Sequence, residues 1–341
     1  MKPKWIVGSV ATLVAVMAIG YAIYWFVVAP KVDAAIDNWV AMERQAGATL
    51  KFERTPVSGF PWEFRSAFHN VDVTQTVNGE RIEWGGSDLE LSLSPFDLET
   101  IRFASSSGMS IFFRDRNNTL AFESPKGRIA FRGDGSLSEL AIEAAETRFA
   151  IPDLVISKAD AVKISVSLPA TPPRSDRDTA VDFSVSLENV MLPPGRILVT
   201  EDPLTQVNLA GSVKGPITIA SLRQALAAWS NQGGTLEVKT FTLAQPPLTL
   251  SGSATLALDQ DLQPIGAANM TARGLGDTID LLAKQGRLAA GDATKFKLFV
   301  IGAQHTGSDG VPEVATGLSV QNGYLNWGPF RLARMPRFAW Q

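Results

Sequence analysis

The spacing of apolar residues changes period along the chain. Residues 5–29, WIVGSVATLVAVMAIGYAIYWFVVA, contain no charged side chain. At about 1.5 Å rise per residue, such a helix crosses about 30 Å of hydrocarbon with some tilt. Trp5 stands at one end, and Tyr21, Tyr24 and Trp25 stand toward the other, as an aromatic belt would. A cleaved signal peptide has an apolar region of only about 7–15 residues. Val32-Asp33-Ala34 is also a poor cleavage site, so the pattern predicts an uncleaved anchor over 1–29. After Pro30, the residues Val32, Ile36, Trp39 and Val40 recur at helical spacing and Gly47 offers a stop. They predict a stalk helix over 30–47.

From residue 48 onward the period drops to two. Leu89, Leu91 and Leu93 alternate with Asp88, Glu90 and Ser92, and Val162, Ile164, Val166 and Leu168 with Lys163, Ser165 and Ser167. Val181, Phe183, Val185 and Leu187 alternate with Asp182, Ser184 and Ser186. Leu248, Leu250, Ala254, Leu256 and Leu258 share one parity, broken at Gly252 as a bulge would break it. This is the signature of antiparallel strands with one dry face and one wet face. Turn signals separate them at Asn78-Gly79, Gly133-Asp134-Gly135, Pro193-Pro194-Gly195, Gly233-Gly234 and Asn322-Gly323. Two short helices interrupt the strands. One covers about 219–230, with Ile219, Leu222, Leu226 and Trp229 on a stripe; the other covers about 277–285, with Asp277 at its start and Ile279, Leu281 and Leu282 on its apolar face. The proline-rich loop Pro169–Asp178 separates a first β-rich half, 48–170, from a second, 179–341. The expected fold is mainly β: an N-terminal transmembrane helix, then long antiparallel meander sheets arranged as a curved groove or a sandwich, with a few short helices. No strict period marks a propeller or solenoid.

The stretch SGFPWEFRSAFHN, residues 58–70, opens this body. Gly59 and Pro61 set a turn. Trp62, Phe64 and Phe68 then fall on one strand face, and Glu63, Arg65 and His69 on the other, with a change of face expected near Asn70. Trp62, Phe64, Phe68, Leu89, Leu91, Val162, Ile164, Val166 and Leu256 form a candidate apolar groove; the competing reading is ordinary sheet core, where aromatics are common.

Composition narrows the chemistry. The 341 residues carry a net charge of −3 and no Cys. Lys2 and Lys4 are the only charges before residue 31, which leaves −5 on the remainder and no basic cluster for nucleic acid. Those two lysines place the N-terminus in the cytoplasm by the positive-inside rule, although Lys31 and Arg44 follow closely. Without Cys there is no thiol nucleophile, disulfide or Cys-based zinc site. The two histidines, His69 and His305, read as a wet-face residue and a loop residue, with no nucleophile motif beside either. Asp134, Glu139 and Glu143 read as turn or solvent-face carboxylates, and Asp259-Gln260-Asp261-Leu262 reads as a hairpin turn because it lacks calcium-loop spacing. Asn117-Asn118-Thr119 and Asn269-Met270-Thr271 match the glycosylation pattern, which is common by chance. Nucleotide-binding and hydrolase motifs are missing. The expectation is therefore no enzyme, no cofactor and no metal.

Three segments together resemble a known family. They are PVSGFPWEFRSAFHNVDV (56–73), LAAWSNQGGTLEVKTFTLAQPPLTLSGSATLALDQDLQPIGAANMTARGL (226–275) and LSVQNGYLNWGPFRLARMP (318–336). Their order is a Trp-terminated helix, a Gly-Gly turn, a Pro-Leu strand, a hairpin ending Pro264-Ile265-Gly266, then an Asn-Gly hairpin through Gly328-Pro329. It resembles the bacterial family catalogued as domain of unknown function 2125. The resemblance implies an inner-membrane protein with a periplasmic body, and it carries over no catalytic residue. The layout is also similar to AsmA-like envelope proteins, whose curved sheets are associated with lipid movement; that is likeness of architecture, which does not fix function. Two functions compete, and an enzyme such as a hydrolase is the third alternative. One is a groove that binds or moves phospholipid; the other is a tethered module that binds an envelope protein. Besides these the bilayer itself is an expected partner, through residues 5–29.

Overall fold

The computed structural model describes residues 4–340 apart from 78, 115–116, 151–156, 193–198, 219–220, 328–329 and 339. The Pro193-Pro194-Gly195 turn, Asn78, Lys2, Ile219, Gly328-Pro329 and the side chain of Trp5 lie outside the described residues. The chain opens with one helix, α1 (Lys4–Gln45), and a first strand, β1 (Thr49–Arg54). Anchor and stalk are thus a single rod that runs through Pro30. A proline inside a helix removes one backbone bond. Here Trp25 and Ala29 before it and Val32 after it pack on Phe64 and Val57, which holds the helix on both sides. Farther along, Arg54 forms ion pairs with Asp33 and, at 2.8 Å, with Asp37, both on α1. Burial pulls the Arg54 guanidinium down, but hydrogen bonding and charge from Asp33 and Asp37 outweigh it and hold the group above its ordinary value.

The body is one sheet. β2 (Phe64–Val77) and β3 (Glu80–Ser94) are long; β4 (Asp97–Ala104) with β5 (Met109–Phe113) and β6 (Asn118–Glu123) with β7 (Lys126–Phe131) are long strands broken once each. So are β8 (Leu137–Ala144) with β9 (Glu146–Ala150), and β10 (Lys158–Ala159) with β11 (Ala161–Ser167). Then follow β12 (Thr179–Val190), β13 (Leu204–Lys214), β14 (Thr235–Gln245), β15 (Leu248–Leu258) and β16 (Pro264–Arg273). β17 (His305–Thr306), β18 (Pro312–Gln321), β19 (Tyr324–Trp327) and β20 (Phe330–Arg334) complete it. All pairings are antiparallel and, counting each broken strand as one, join neighbours in chain order, except that β16 pairs with β18 and the short β17 lies on the far side of β18. The ladder passes straight through the 168–178 loop, because β11 pairs with β12.

Helices replace turns. α2 (Leu222–Asn231) links β13 to β14, and its Trp229 donates from Nε1 to the Lys214 carbonyl at 2.7 Å. α3 (Leu275–Lys284) and α4 (Ala290–Ala303) stand between β16 and β17, packed through Ile279, Ala293 and Val300 against Val314. α4 departs from expectation, since only two helices were read in the body. Its sequence, AGDATKFKLFVIGA, is apolar on every side and shows no helical stripe. The Asp259 turn forms as expected: its carboxylate accepts the Asp261 and Gln263 amides at 2.9 and 2.8 Å.

A crease crosses the first half of the sheet. It runs through Asn70 in β2, then Ser105–Gly108, Ser124-Pro125, Ala145 and Asp160, and reaches Asn189 in β12. Asn70, Ser124 and Asn189 have φ of 52°, 45° and 48°, a region that Asn tolerates better than most residues. Bonding continues across the breaks: the Ser105 amide donates to Pro125 O at 2.8 Å and the Ala145 amide to Glu123 O at 3.1 Å. At the crease, buried residues step by three instead of two: Phe68 to Val71, Ala144 to Thr147, Ala159 to Val162, Leu187 to Val190. The inward parity therefore flips in register across several strands, and the face change expected near Asn70 is its first member.

Asp88 fastens the crease. Its carboxylate accepts from the Ser106 and Ser107 amides at 2.9 and 3.0 Å, from the Ser106 hydroxyl at 2.9 Å, and from the Ser107 hydroxyl. These donors, the Ser107 hydroxyl foremost and the Ser106 amide next, hold Asp88 well below the usual carboxylate range. A depressed pKa stabilises the fold above the unfolded value of about 4 and loses that contribution as pH falls toward the folded value. Asp88→Ala is expected to lower stability by about 1–3 kcal/mol in urea unfolding at pH 7. The difference from the parent should shrink as pH falls below 4; an unchanged difference at pH 3 and pH 7 would refute the assignment.

Candidate functional site: the dry face of the sheet

Residues that pair directly across antiparallel strands share a face. One row reads Phe64, Leu93, Ile101, Ile129, Leu140, Val166, Phe183, Gly211, Val238, Ala254, Ala268, Leu318, twelve strands without a polar side chain. Beside it runs Leu91, Phe103, Gly127, Ile142, Ile164, Val185, Leu209, Phe241, Gly252, Met270. A third row joins Ala144, Val162, Leu187, Val207, Leu243, Leu250, Ala272 and Val314. At about 4.8 Å between strands, the first row is on the order of 50 Å long.

Eight of the nine expected groove residues lie on this face. Phe64 and Phe68 begin it on β2, opposite Leu93 and Leu89, and Leu91 follows opposite Ser66. Val162, Ile164 and Val166 lie at its middle, one in each of the three rows, and Leu256 lies on β15 beside Ala254's row. Trp62 is the correction. It precedes the strand, in a turn whose Trp62 and Glu63 amides both donate to Gly59 O, at 3.0 and 3.1 Å, and it is 83% exposed. The turn set by Gly59 and Pro61 consumes Trp62, so the strand starts at Phe64.

The face is neither sealed nor bare. All twenty described strands belong to one sheet, so among the described residues no second sheet lies against it. Its start is covered by α1: Phe64 is fully buried under Trp25 and Ala29, and Phe68 packs with Phe52 and near Ile36. Its middle is mostly half-buried, with Ala144, Val162, Leu187, Gly211 and Val238 buried. Open twisted sheets of more than about ten strands curl, and side chains on the inner side of a curl shield one another. Phenylalanines lie opposite glycines: Phe103 faces Gly127, Phe183 faces Gly211 and Phe241 faces Gly252. A Cβ at Gly127 would sit 2.5 Å from the Phe103 ring, and one at Gly211 would sit 3.0 Å from that of Phe183. The Phe103 and Phe183 rings thus lie over the glycines beside them, whereas at Gly252 the close neighbours are the Asn269 and Met270 backbone.

The opposite face is wet and ion-paired. Glu139 pairs with Arg128 at 2.5 Å, Glu143 with Lys126 at 3.5 Å and Asp182 with Lys239 at 3.0 Å. The Ser212 hydroxyl, then Lys239, hold Asp182 below its ordinary value. Ser165 and Ser184 hydroxyls meet at 2.8 Å over a shallow hollow of about 440 Å³. A wider hollow of about 760 Å³ lies on the same wet side, over Thr255, Ala267 and Ser319. His69 is exposed there, opposite Asp88 and Glu53, while His305 sits on β17 with Nε2 3.3 Å from Glu313. Among the described residues, no three His, Asp or Glu side chains converge as a metal would require. What sequence reading missed is the Phe–Gly pairing, which depends on register.

The architecture defines a class: a single-sheet β protein carried on a long apolar helix. Residues 25–336 match a family described as an uncharacterized protein conserved in bacteria (DUF2125), and the chain belongs to that family. No curated protein and no solved structure matches it.

Gly127→Val is expected to push the Phe103 ring off the dry face and strain β8, since the new Cβ would also approach Ala141 O to 2.1 Å. A loss of about 1–3 kcal/mol in urea unfolding is expected. The double variant with Phe103→Ala should recover part of it, and additive losses in a double-mutant cycle would refute the pairing.

Proposed function

We propose that this protein is a single-pass protein of the bacterial inner membrane whose periplasmic body binds phospholipid acyl chains along the dry face of its sheet. The observation that carries the reading is the unbroken apolar row from Phe64 to Leu318 on a sheet that, among the described residues, has no second sheet against it. Such a face on a soluble body would otherwise expose contiguous apolar surface to water. The helix supports the anchor: its exposed side chains from Leu13 to Val27 are apolar, and Lys2 and Lys4 precede it. The order of elements, similar to AsmA-like envelope proteins, agrees with the reading. The reading assigns no reaction, since the wet-face carboxylates are engaged in ladder ion pairs and turns.

A row on the order of 50 Å is short for a bridge between two membranes. The protein then works as a shuttle, an adaptor or one segment of a larger assembly. A second reading, the protein-interaction module, draws on α4, where Phe296, Leu298 and Ile301 are exposed on an apolar helix. The two readings separate by what each surface touches.

Adjacent residues supply the test. A photo-crosslinking amino acid replacing Phe183 on the dry face should form phospholipid adducts in the bacterial membrane, visible by mass spectrometry. The same group replacing Ser184 on the wet face should form none. Val166→Glu combined with Val185→Glu should abolish adducts at Phe183 while the helix remains in the membrane fraction. Adducts absent at Phe183, or equal at both positions, would sink the lipid reading, and a protein adduct from Leu298 alone would favour the module.

A further inference from the structure

Two turns of the sheet reach across to α1 at one level. In the turn before β2, Pro61 O accepts the Tyr21 hydroxyl and Glu63 O accepts Trp25 Nε1 at 3.3 Å. In the turn between β3 and β4, Pro95 O accepts the Tyr24 hydroxyl at 2.8 Å. The rings follow the bonds. Phe60 lies 5.3 Å from Phe26 and 5.4 Å from Trp25, and Phe96 stacks on Tyr21 at 5.5 Å. Although held in place, these turns present apolar tips outward: Phe96 is 82% exposed, and Phe60 and Leu98 are each 46% exposed, next to the exposed Trp62.

The level is what gives the tips meaning. Tyr21 to Phe26 lie inside the uncharged stretch 5–29, and the first charge after it, Lys31, comes six residues past Trp25, about 9 Å farther along the axis. The turns therefore touch the helix on the membrane side of its first charge. Ile23, Phe26 and Val27 of α1 are exposed there too, so helix and tips form one apolar surface. Trp and Tyr prefer the boundary where hydrocarbon meets headgroups. Glu63 and Arg65, which pair with each other one and three residues beyond Trp62, suit the headgroup side of that boundary.

We propose that Phe60, Trp62, Phe96 and Leu98 form a rim that inserts into the periplasmic leaflet of the bilayer. The inference rests on the reading of α1 as a membrane anchor. It fixes the strand ends of β2, β3 and β4 at the leaflet, so that the first dry row, which begins at Phe64 and Leu93, starts where acyl chains are. The occupant is the lipid surface, and the place where lipid meets the groove is this corner of the sheet.

The chain has no Cys, so single cysteines report cleanly. Full-length Trp62→Cys and Phe96→Cys proteins carry an environment-sensitive fluorophore in phosphatidylethanolamine–phosphatidylglycerol vesicles. The lipids bear a nitroxide either near the headgroup or deep in the acyl chain. Both positions are expected to show several-fold stronger quenching by the shallow nitroxide than a label at Met191→Cys, an exposed position at the opposite strand end. Ile19→Cys, on α1, is expected to be quenched by the deep nitroxide. Quenching at Ile19 with labels at 62 and 96 no better quenched than that at 191 overturns the rim and leaves the anchor standing. An Ile19 label open to water overturns both. Leu98→Cys repeats the test should either aromatic substitution unfold the protein.

Discussion

A backbone ladder that, the short β17 aside, bonds each strand to the next in chain order governs this molecule. Strand N–H and C=O groups must be paired, and an antiparallel meander pairs them with the shortest connections available. The same economy leaves the sheet as a single layer. A single layer has two faces, and this one divides them sharply: ion pairs such as Glu139–Arg128 on one side, rows from Phe64 to Leu318 on the other. The wet side is satisfied by water and by pairs that contribute little each. Among the described residues the dry side is covered by α1 at its start and by α3 and α4 near its end.

Against that background the crease and the Phe–Gly pairs have one physical origin. A flat sheet of this width could not shield its apolar rows. Parity flips at Asn70, Asn189 and the breaks between them bend the layer while the ladder continues through Ser105 and Ala145. Glycines at 127 and 211 give room beneath the rings of Phe103 and Phe183. Large side chains lying over vacant positions fill a curve in which standing side chains would collide.

The sequence made some of this legible. Period-two alternation at Leu89–Leu93 or Val162–Val166 names strands and their dry side, because the pleat forces every second residue to one face. It does not name partners, so the rows and the Phe–Gly pairs stayed hidden until register was known. Ser105-Ser106-Ser107-Gly108 looks like a turn by composition; it is a bulge because Asp88 on the neighbouring strand gathers its amides. α4 escaped because Phe296, Leu298, Phe299 and Ile301 do not fall on one stripe. Trp62 was placed on the strand because alternation alone cannot see that Gly59 and Pro61 bring the chain back on itself for two residues more. The continuity of the helix from 1–29 into 30–47 was not legible either: Pro30 is a breaker by local rules, and only Phe64 and Val57, far along the chain, show why the helix continues.

That last contact also sets how helix and sheet are coupled. Full burial of a phenylalanine is worth about 1.5–3 kcal/mol, and Phe64 is buried by α1 residues on both sides of Pro30. Arg54, clamped to Asp33 and Asp37 within about two turns beyond Pro30, fixes the rotation of the same helix about its axis. A hinge at Pro30 would break the first contact and leave the second, so the two together hold the rod straight. The sheet consequently has one orientation relative to α1. A dry face with a fixed orientation to an apolar rod begins at a definite level along that rod, and the tyrosines at 21 and 24 bonded to the turns at 61 and 95 mark that level.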